Sequence, residues 1–151
     1  MDQIDRKILD ILQRDGRITM KALAGEISMS VPAASERVRR LEEQGIILGY
    51  HAEVDLQALG CQVEAIVLAT VRDGQEMTLR EFVQKCPAIV EAWDLAGRVG
   101  LMLKVRCINM AAFQDVVRDL QTMSATESYM FLNCCKQQTL SVEALPEEFQ
   151  S

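Results

Sequence analysis

From residue 3 onward the apolar positions step as they do on a helix. Ile4, Ile8, Leu9, Ile11 and Leu12 share one stripe, which predicts a helix over about Gln3 to Arg14, capped by Asp2 and stopped by Gly16. Thr19 is placed to cap a second, short helix carrying Ala22, Leu23 and Ile27, and Ser28-Met29-Ser30 leaves room only for a sharp turn. Ser30 then caps a third helix, with Pro32 in its first turn, an apolar stripe of Val31, Ala34, Val38 and Leu41, and Gly45 as its left-handed stop. Two β-prone pieces follow, Ile46 to Tyr50 and Ala52 to Val54, and their spacing predicts a hairpin wing.

After a hinge at Gln57 to Gly60 the period changes from helical to alternating. Val63, Ala65, Val67, Ala69 and Val71 alternate with more polar neighbours as a strand that Asp73-Gly74 breaks. Thr78 opens a helix with Leu79, Phe82, Val83 and Cys86 inward, ending before Pro87. Ile89 to Leu95 and Val99 to Cys107 read as strands around a turn at Ala96-Gly97-Arg98, Asn109 caps a helix striped by Phe113, Val116, Val117, Leu120 and Met123, and Tyr129 to Val142 reads as a last long strand. The expected class is therefore α+β: an N-terminal winged helix-turn-helix over residues 1–60, a ferredoxin-like βαββαβ sandwich over 61–142, and a C-terminal tail over 143–151 that frays from Pro146 to Ser151.

The 151 residues suit one ordinary or two small domains, and 49% apolar with 25% charged content is ordinary for a globular protein. No apolar run is long enough to span a bilayer and the start has no signal-peptide layout, so no membrane partner is expected and the cytoplasm is the default. A net charge of −6 argues against general polyanion binding. Neither part is basic, with eight basic against ten acidic residues in 1–60, so any contact with nucleic acid must come from a local patch.

That patch is the third helix. Arg37 and Arg40 stand one turn apart on one flank with Arg39 beside them, a rigid row of guanidinium groups that suits a major groove of double-stranded DNA. A solvated face in which these arginines pair with Glu36, Glu42 and Glu43 is the competing account, but a three-helix unit with a tight turn favours DNA readout. Arg37 and Arg40 are the candidates for base edges or phosphates. Ser30, Ala33 and Ser35 are small enough for close approach, and Thr19 and Lys21 are placed to hold phosphate.

Catalytic and metal chemistry find little support. No Ser/His/Asp arrangement or phosphate loop is visible, the single histidine, His51, lies near the expected wing, and no cofactor is expected. The five cysteines form no CxxC pair, and on a strand Cys134 and Cys135 would point to opposite faces, so no metal site is expected either. Helices on one sheet face leave the other free, and Trp93, Leu95, Tyr129 and Phe131 would be costly to leave in water at about 25 cal/mol per Å². Burial of each aromatic in the core is the simpler account, and pairing with a second copy is the natural remedy where one stays exposed.

The stretches Ile4 to Leu9, Leu12 to Ile18 and Glu36 to Tyr50 resemble the leucine-responsive regulatory protein/AsnC family of transcription regulators, and the likeness runs from Met1 to about Val142. The resemblance implies a reading motif at about Met20 to Arg39, dimers that commonly assemble into octamers, and in many members an amino-acid effector. It places effector positions at Gly97, Arg98, Val99, Gly100 and Met110 and at Tyr129, Met130 and Phe131, the last group facing the turn across subunits. This chain departs from the family at Gly97-Arg98-Val99-Gly100-Leu101, where Gly100 stands in place of an acid. An ammonium group would lose a charge-assisted partner there. Three outcomes follow: a different effector, substitution by Asp94, or no small-molecule sensing. Two rivals remain, a thiol-responsive regulator using Cys134 or Cys135 and a ferredoxin-like enzyme fused to a DNA reader.

Overall fold

The computed structural model describes residues 1–136 and 139–145. They form two compact units: Met1–Glu53 together with the described part of the segment from Lys136, and Val54–Cys135.

The first unit holds α1 (Gln3–Arg14), α2 (Met20–Glu26) and α3 (Val31–Glu43). Asp2 and Asp5 form a capping box at the start of α1, each carboxylate accepting from the other's backbone N–H. The helix ends on Asp15 rather than through Gly16. The Asp15 side chain accepts from the Arg17 N–H at 2.9 Å, and that local turn replaces the expected glycine stop. Thr19 and Ser30 cap α2 and α3 as expected, accepting from Ala22 and Ala33. The core joins Ile8, Leu9 and Ile11 of α1 to Leu23, Ala24 and Ile27, and to Ala34, Val38 and Leu41 of α3. Val31 is not part of it. On the first turn of α3 its side chain faces solvent, 41% exposed.

Both α2 and α3 end in the same hydrogen-bonded motif. Met29 N–H reaches Ala24 O at 2.9 Å and Ser28 N–H reaches Gly25 O at 3.2 Å, just as Ile46 reaches Leu41 O and Gly45 reaches Glu42 O after α3. The motif requires a left-handed residue, supplied by Gly45 (φ +66) after α3 and by Ser28 (φ +55) in the turn between α2 and α3.

No wing hairpin forms, since residues 46–54 contain no strand. Tyr50 lies in the middle of the expected hairpin, and its hydroxyl donates to Glu42 at 2.9 Å while its ring approaches Gly16. That attachment to the end of α3 occupies the residues a two-strand turn would need.

The second unit follows the βαββαβ order with β1 (Val63–Val71), α4 (Glu76–Lys85), β2 (Ile89–Asp94), β3 (Leu101–Cys107), α5 (Met110–Met123) and β4 (Ser124–Met130). The antiparallel sheet runs β2-β3-β1-β4. Val63, Ala65, Val67, Ala69, Leu101, Leu103 and Val105 meet Leu79, Phe113 and Leu120 of the helices. Helix α4 begins before Thr78, because the Gly74 turn delivers the chain at Gln75, whose carbonyl accepts from Leu79 N–H at 2.9 Å. The last strand runs over Ser124–Met130 rather than Tyr129 to Val142, starting directly where α5 ends and stopping early. Past Phe131, whose N–H reaches Glu64 O, β1 has almost no residues left to pair, and Val142 packs in the core of the first unit. The expected frayed end at Pro146 to Ser151 lies outside the described residues.

A serine in the left-handed region costs about 1 kcal/mol that glycine avoids, partly offset by glycine's greater chain entropy. Ser28→Gly should raise stability by about 0.5 kcal/mol, and Ser28→Val should lower it by about 1 kcal/mol or more, both read from urea midpoints.

Candidate nucleic-acid interface and effector turn

The tight turn at Ser28 sets the start of α3 free. Ser30, Val31 and Pro32 are exposed and Ala33 and Ser35 half-buried, so the first turn and a half offers small side chains to solvent. Thr19 and Lys21 are exposed at the start of α2. Neither Lys21 nor Arg17 has an ion-pair partner among the described residues, leaving both cations available.

The arginines of α3 divide by partner. Arg37 Nη1 donates to Asp2 at 2.7 Å and to Asp5 at 2.8 Å, and Arg40 reaches both Asp5 oxygens at 2.9 and 3.1 Å. Asp5 has only 2% of its side chain exposed, so the two arginines clamp α3 to α1. Arg39 points elsewhere, pairing with Glu36 at 2.5 Å and with Glu43 on the open surface, which raises its already high pKa. Exposed pairs of this kind contribute little to stability. Asp5 is the residue that sequence reasoning missed. Its available signal was the Asp2-x-x-Asp5 spacing, which marks a capping box but does not reveal the arginines across the bundle.

In the second unit the turn at Gly97 to Gly100 is closed by Leu95 N–H on Gly100 O at 2.9 Å. Gly97 and Arg98 are exposed, and Val99 and Gly100 half-buried. A Cβ on Gly100 would meet only the Ala69 carbonyl at 3.9 Å, so nothing steric demands glycine there. Asp94, the possible substitute acid, is bonded to Arg80 at 2.8 Å. The remaining expected positions are spread along the sheet. Tyr129 pairs with Ile66, Met130 with Ala65, Phe131 bonds Glu64, and Met110 begins α5 just past Cys107, which faces Val63. The turn lies by contrast beside Leu101, opposite Ala69. One chain thus separates Met110 and Phe131 from the turn by most of a strand's length. The Tyr129 hydroxyl donates to Glu127 at 2.8 Å, which raises its pKa, while the Arg98 cation opposes that rise.

The sheet face away from the helices mixes charged and aromatic positions. Glu64 accepts from Arg106 at 2.9 Å and Lys104 at 3.2 Å, and Lys104 also reaches Glu91. Trp93 and Tyr129 are 43% and 54% exposed on that face, and Leu95 and Phe131 are exposed nearby. All five cysteines are free thiols. Cys134 and Cys135 are exposed beyond the end of β4 rather than on a strand, and burial, with Cys86 and Cys61 nearby, pushes the Cys107 thiol up. Among the described residues no cluster fit to hold a metal ion occurs, and no helix is long and apolar enough to cross a membrane.

A tight-turn helix pair with an exposed second-helix start, joined to a βαββαβ module, defines a helix-turn-helix DNA-binding protein with an appended α+β domain. Residues 1–47 match the winged helix-turn-helix DNA-binding family, and residues 64–140 match the Lrp/AsnC ligand binding domain. The chain belongs to the Lrp/AsnC family and is a DNA-binding transcriptional regulator with a ligand-binding domain. It is 34% identical over 133 residues to the HTH-type transcriptional regulator LrpC of Bacillus subtilis (strain 168), covering 88% of this chain and 92% of the relative. A leucine-responsive regulatory protein of Rhizobium meliloti (strain 1021) is 37% identical over 131 residues, covering 85% and 83%. The solved structure of B. subtilis LrpC superposes with a TM-score of 0.85 at 33% identity, over 91% of this chain and 99% of that one. A transcriptional regulator from Neisseria meningitidis, solved as an L-Met complex, gives 0.85 at 26% identity over 97% and 96%. These relatives are regulators, which excludes the enzyme alternative.

Arg37→Ala should cost about 2 kcal/mol in urea denaturation, because it leaves the buried Asp5 short of a partner, while the order of preferred DNA bases stays the same. The Asp5 N–H and the Arg37 guanidinium hold the Asp2 carboxyl below the ordinary aspartate range. Stability from Asp2 is therefore present above that range and lost as pH falls through the depressed folded value. With 53% of the side chain exposed the effect is small, and Asp2→Asn should flatten part of the loss in melting temperature between about pH 5 and pH 3.

Proposed function

We propose that this chain is a homo-oligomeric, sequence-specific regulator that inserts the start of α3 into the major groove of double-stranded DNA and answers to an amino-acid-sized effector. The observation that carries the DNA contact is the free first turn of α3, with Ser30, Val31 and Pro32 exposed after the left-handed turn at Ser28. In this arrangement Ser30, Ala33 and Ser35 approach base edges, Thr19, Lys21 and Arg39 hold phosphates, and Arg37 and Arg40 fix the angle of the helix from behind. A pair of chains sets two such helices about one turn of DNA apart, on a roughly palindromic site.

The exposed Trp93 and Tyr129 support assembly through the outer sheet face, with dimers building toward an octamer. A cytoplasmic location goes with this role. For the effector, the turn of one chain at Gly97, Arg98, Val99 and Gly100 meets Met110, Tyr129, Met130 and Phe131 of another, because one chain keeps Met110 and Phe131 far from its own turn. Two solved relatives are complexes with methionine, one from Neisseria meningitidis and a feast or famine regulatory protein from M. tuberculosis. Here Gly100 takes the place of the acid and the Arg98 cation lies two residues before it in the same turn, which favours an effector recognised through its carboxylate. Effector binding then shifts the oligomer and the DNA it holds.

Lys21→Ala and Arg39→Ala should each weaken binding to all DNA sequences about tenfold and reduce the salt dependence by about one phosphate contact. Unchanged affinity in both gel-shift titrations would refute the contact set. A thermal-shift screen of the twenty amino acids, paired with sedimentation velocity, tests the effector and assembly: a ligand that raises the melting point and changes the sedimenting species is expected.

A further inference from the structure

The chain returns to the first unit after β4, and α1 grips it there. Asp10 accepts from the Ser141 hydroxyl at 2.5 Å, from Val142 N–H at 2.5 Å and from Glu143 N–H at 3.3 Å. One carboxylate thus caps the free N–H groups of a turn that Ala144 and Leu145 close onto Ser141 and Val142. Arg6, only 6% exposed, serves the other end, donating to Leu145 O at 2.5 Å and Val142 O at 3.5 Å. Anion on the amide end and cation on the carbonyl end is the favourable sense for a turn's dipole. Val142 itself packs against the core that Ile8 and Leu9 share with α2 and α3. Partial burial pushes the Asp10 carboxyl up, but the bonds from Ser141, Val142 and Glu143 outweigh it and hold it below the ordinary range.

At 3.6 residues per turn, Arg6 and Asp10 share one flank of α1, and Asp10 lies about 140° around the helix from Asp5, which holds Arg37 and Arg40. We propose that residues 139–145 are a strap latched to α1 by Asp10 and Arg6, and that through α1 the strap sets how firmly α3 is held. A change that pulls on the connection from β4 would then reach the DNA-reading helix through covalent chain and packed contacts, without any effector touching the first unit. The latch stands on its own contacts. Only its effect on DNA rests on the proposed function.

Hydrogen–deuterium exchange on the full chain tests the strap. In Asp10→Ala, where alanine keeps α1 helical, the amides of 142–143 should exchange about tenfold faster or more, those of 31–43 should also quicken, and β1 and β3 should not change. Ser141→Glu, which sets a second carboxylate against Asp10 from outside α1, should give the same pattern and covers the case in which Asp10→Ala fails to fold. Unchanged exchange at 142–143 in the folded variants would overturn the latch. Faster exchange there with α3 unaffected would overturn the link to α3. If wild type and variants alike bind no DNA, the proposed function fails while the exchange data still judge the strap.

Discussion

An aspartate with 2% of its side chain exposed, in the first turn of α1, draws Arg37 and Arg40 of α3 onto itself at 2.8 and 2.9 Å. A buried carboxylate left alone would be strongly unfavourable, so the two guanidinium groups are bound to their places as much as the carboxylate is. The direction in which α3 faces solvent depends on that pairing. With its rear flank tied to α1, the free surface of the helix is its first turn and the side carrying Arg39. The positive charge that made α3 look like a DNA-reading element thus acts in large part from behind, as an anchor.

Helix α1 is consequently more than a support. Its apolar stripe builds the core, Asp2 and Asp5 cap its start and hold α3, and Arg6 and Asp10 hold the returning chain. Because these roles fall on different flanks of one twelve-residue rod, a disturbance on one flank is felt on the others through a rigid body rather than a loop. The second unit is built on a different economy of contacts, a fully apolar inner sheet face against two helices and an outer face that mixes a charge ladder with exposed aromatics. Its inner face specifies the fold, and its outer face stays exposed in the single chain.

Much of the architecture was legible in the chain, because periodicity and caps are local. The five helices, the alternation of β1 and β3, and the caps Asp2, Thr19, Ser30 and Asn109 follow from residues within a few positions of one another. Two boundary errors, the Gly16 stop and the Thr78 start, turned on local turns, and the larger ones on partners outside the segment. The last strand ends at Met130 because only Val63 and Glu64 of β1 remain beyond its partner Ala65, and the hairpin after α3 gives way because Tyr50 finds Glu42. Neither β1 nor Glu42 is visible in the local β-propensity of those segments.

The same division holds for function. Sequence alone determined that a tight turn precedes a cationic helix, that a βαββαβ module follows, and that an acid is missing at Gly100, since each is a matter of residue type and short spacing. Only the tertiary structure decided which arginines are committed to Asp5, which way Asp94 is spent on Arg80, and that the chain beyond β4 returns to α1. Pairing between residues from fourteen to more than a hundred positions apart depends on how helices and strands pack, and no spacing along the chain encodes it.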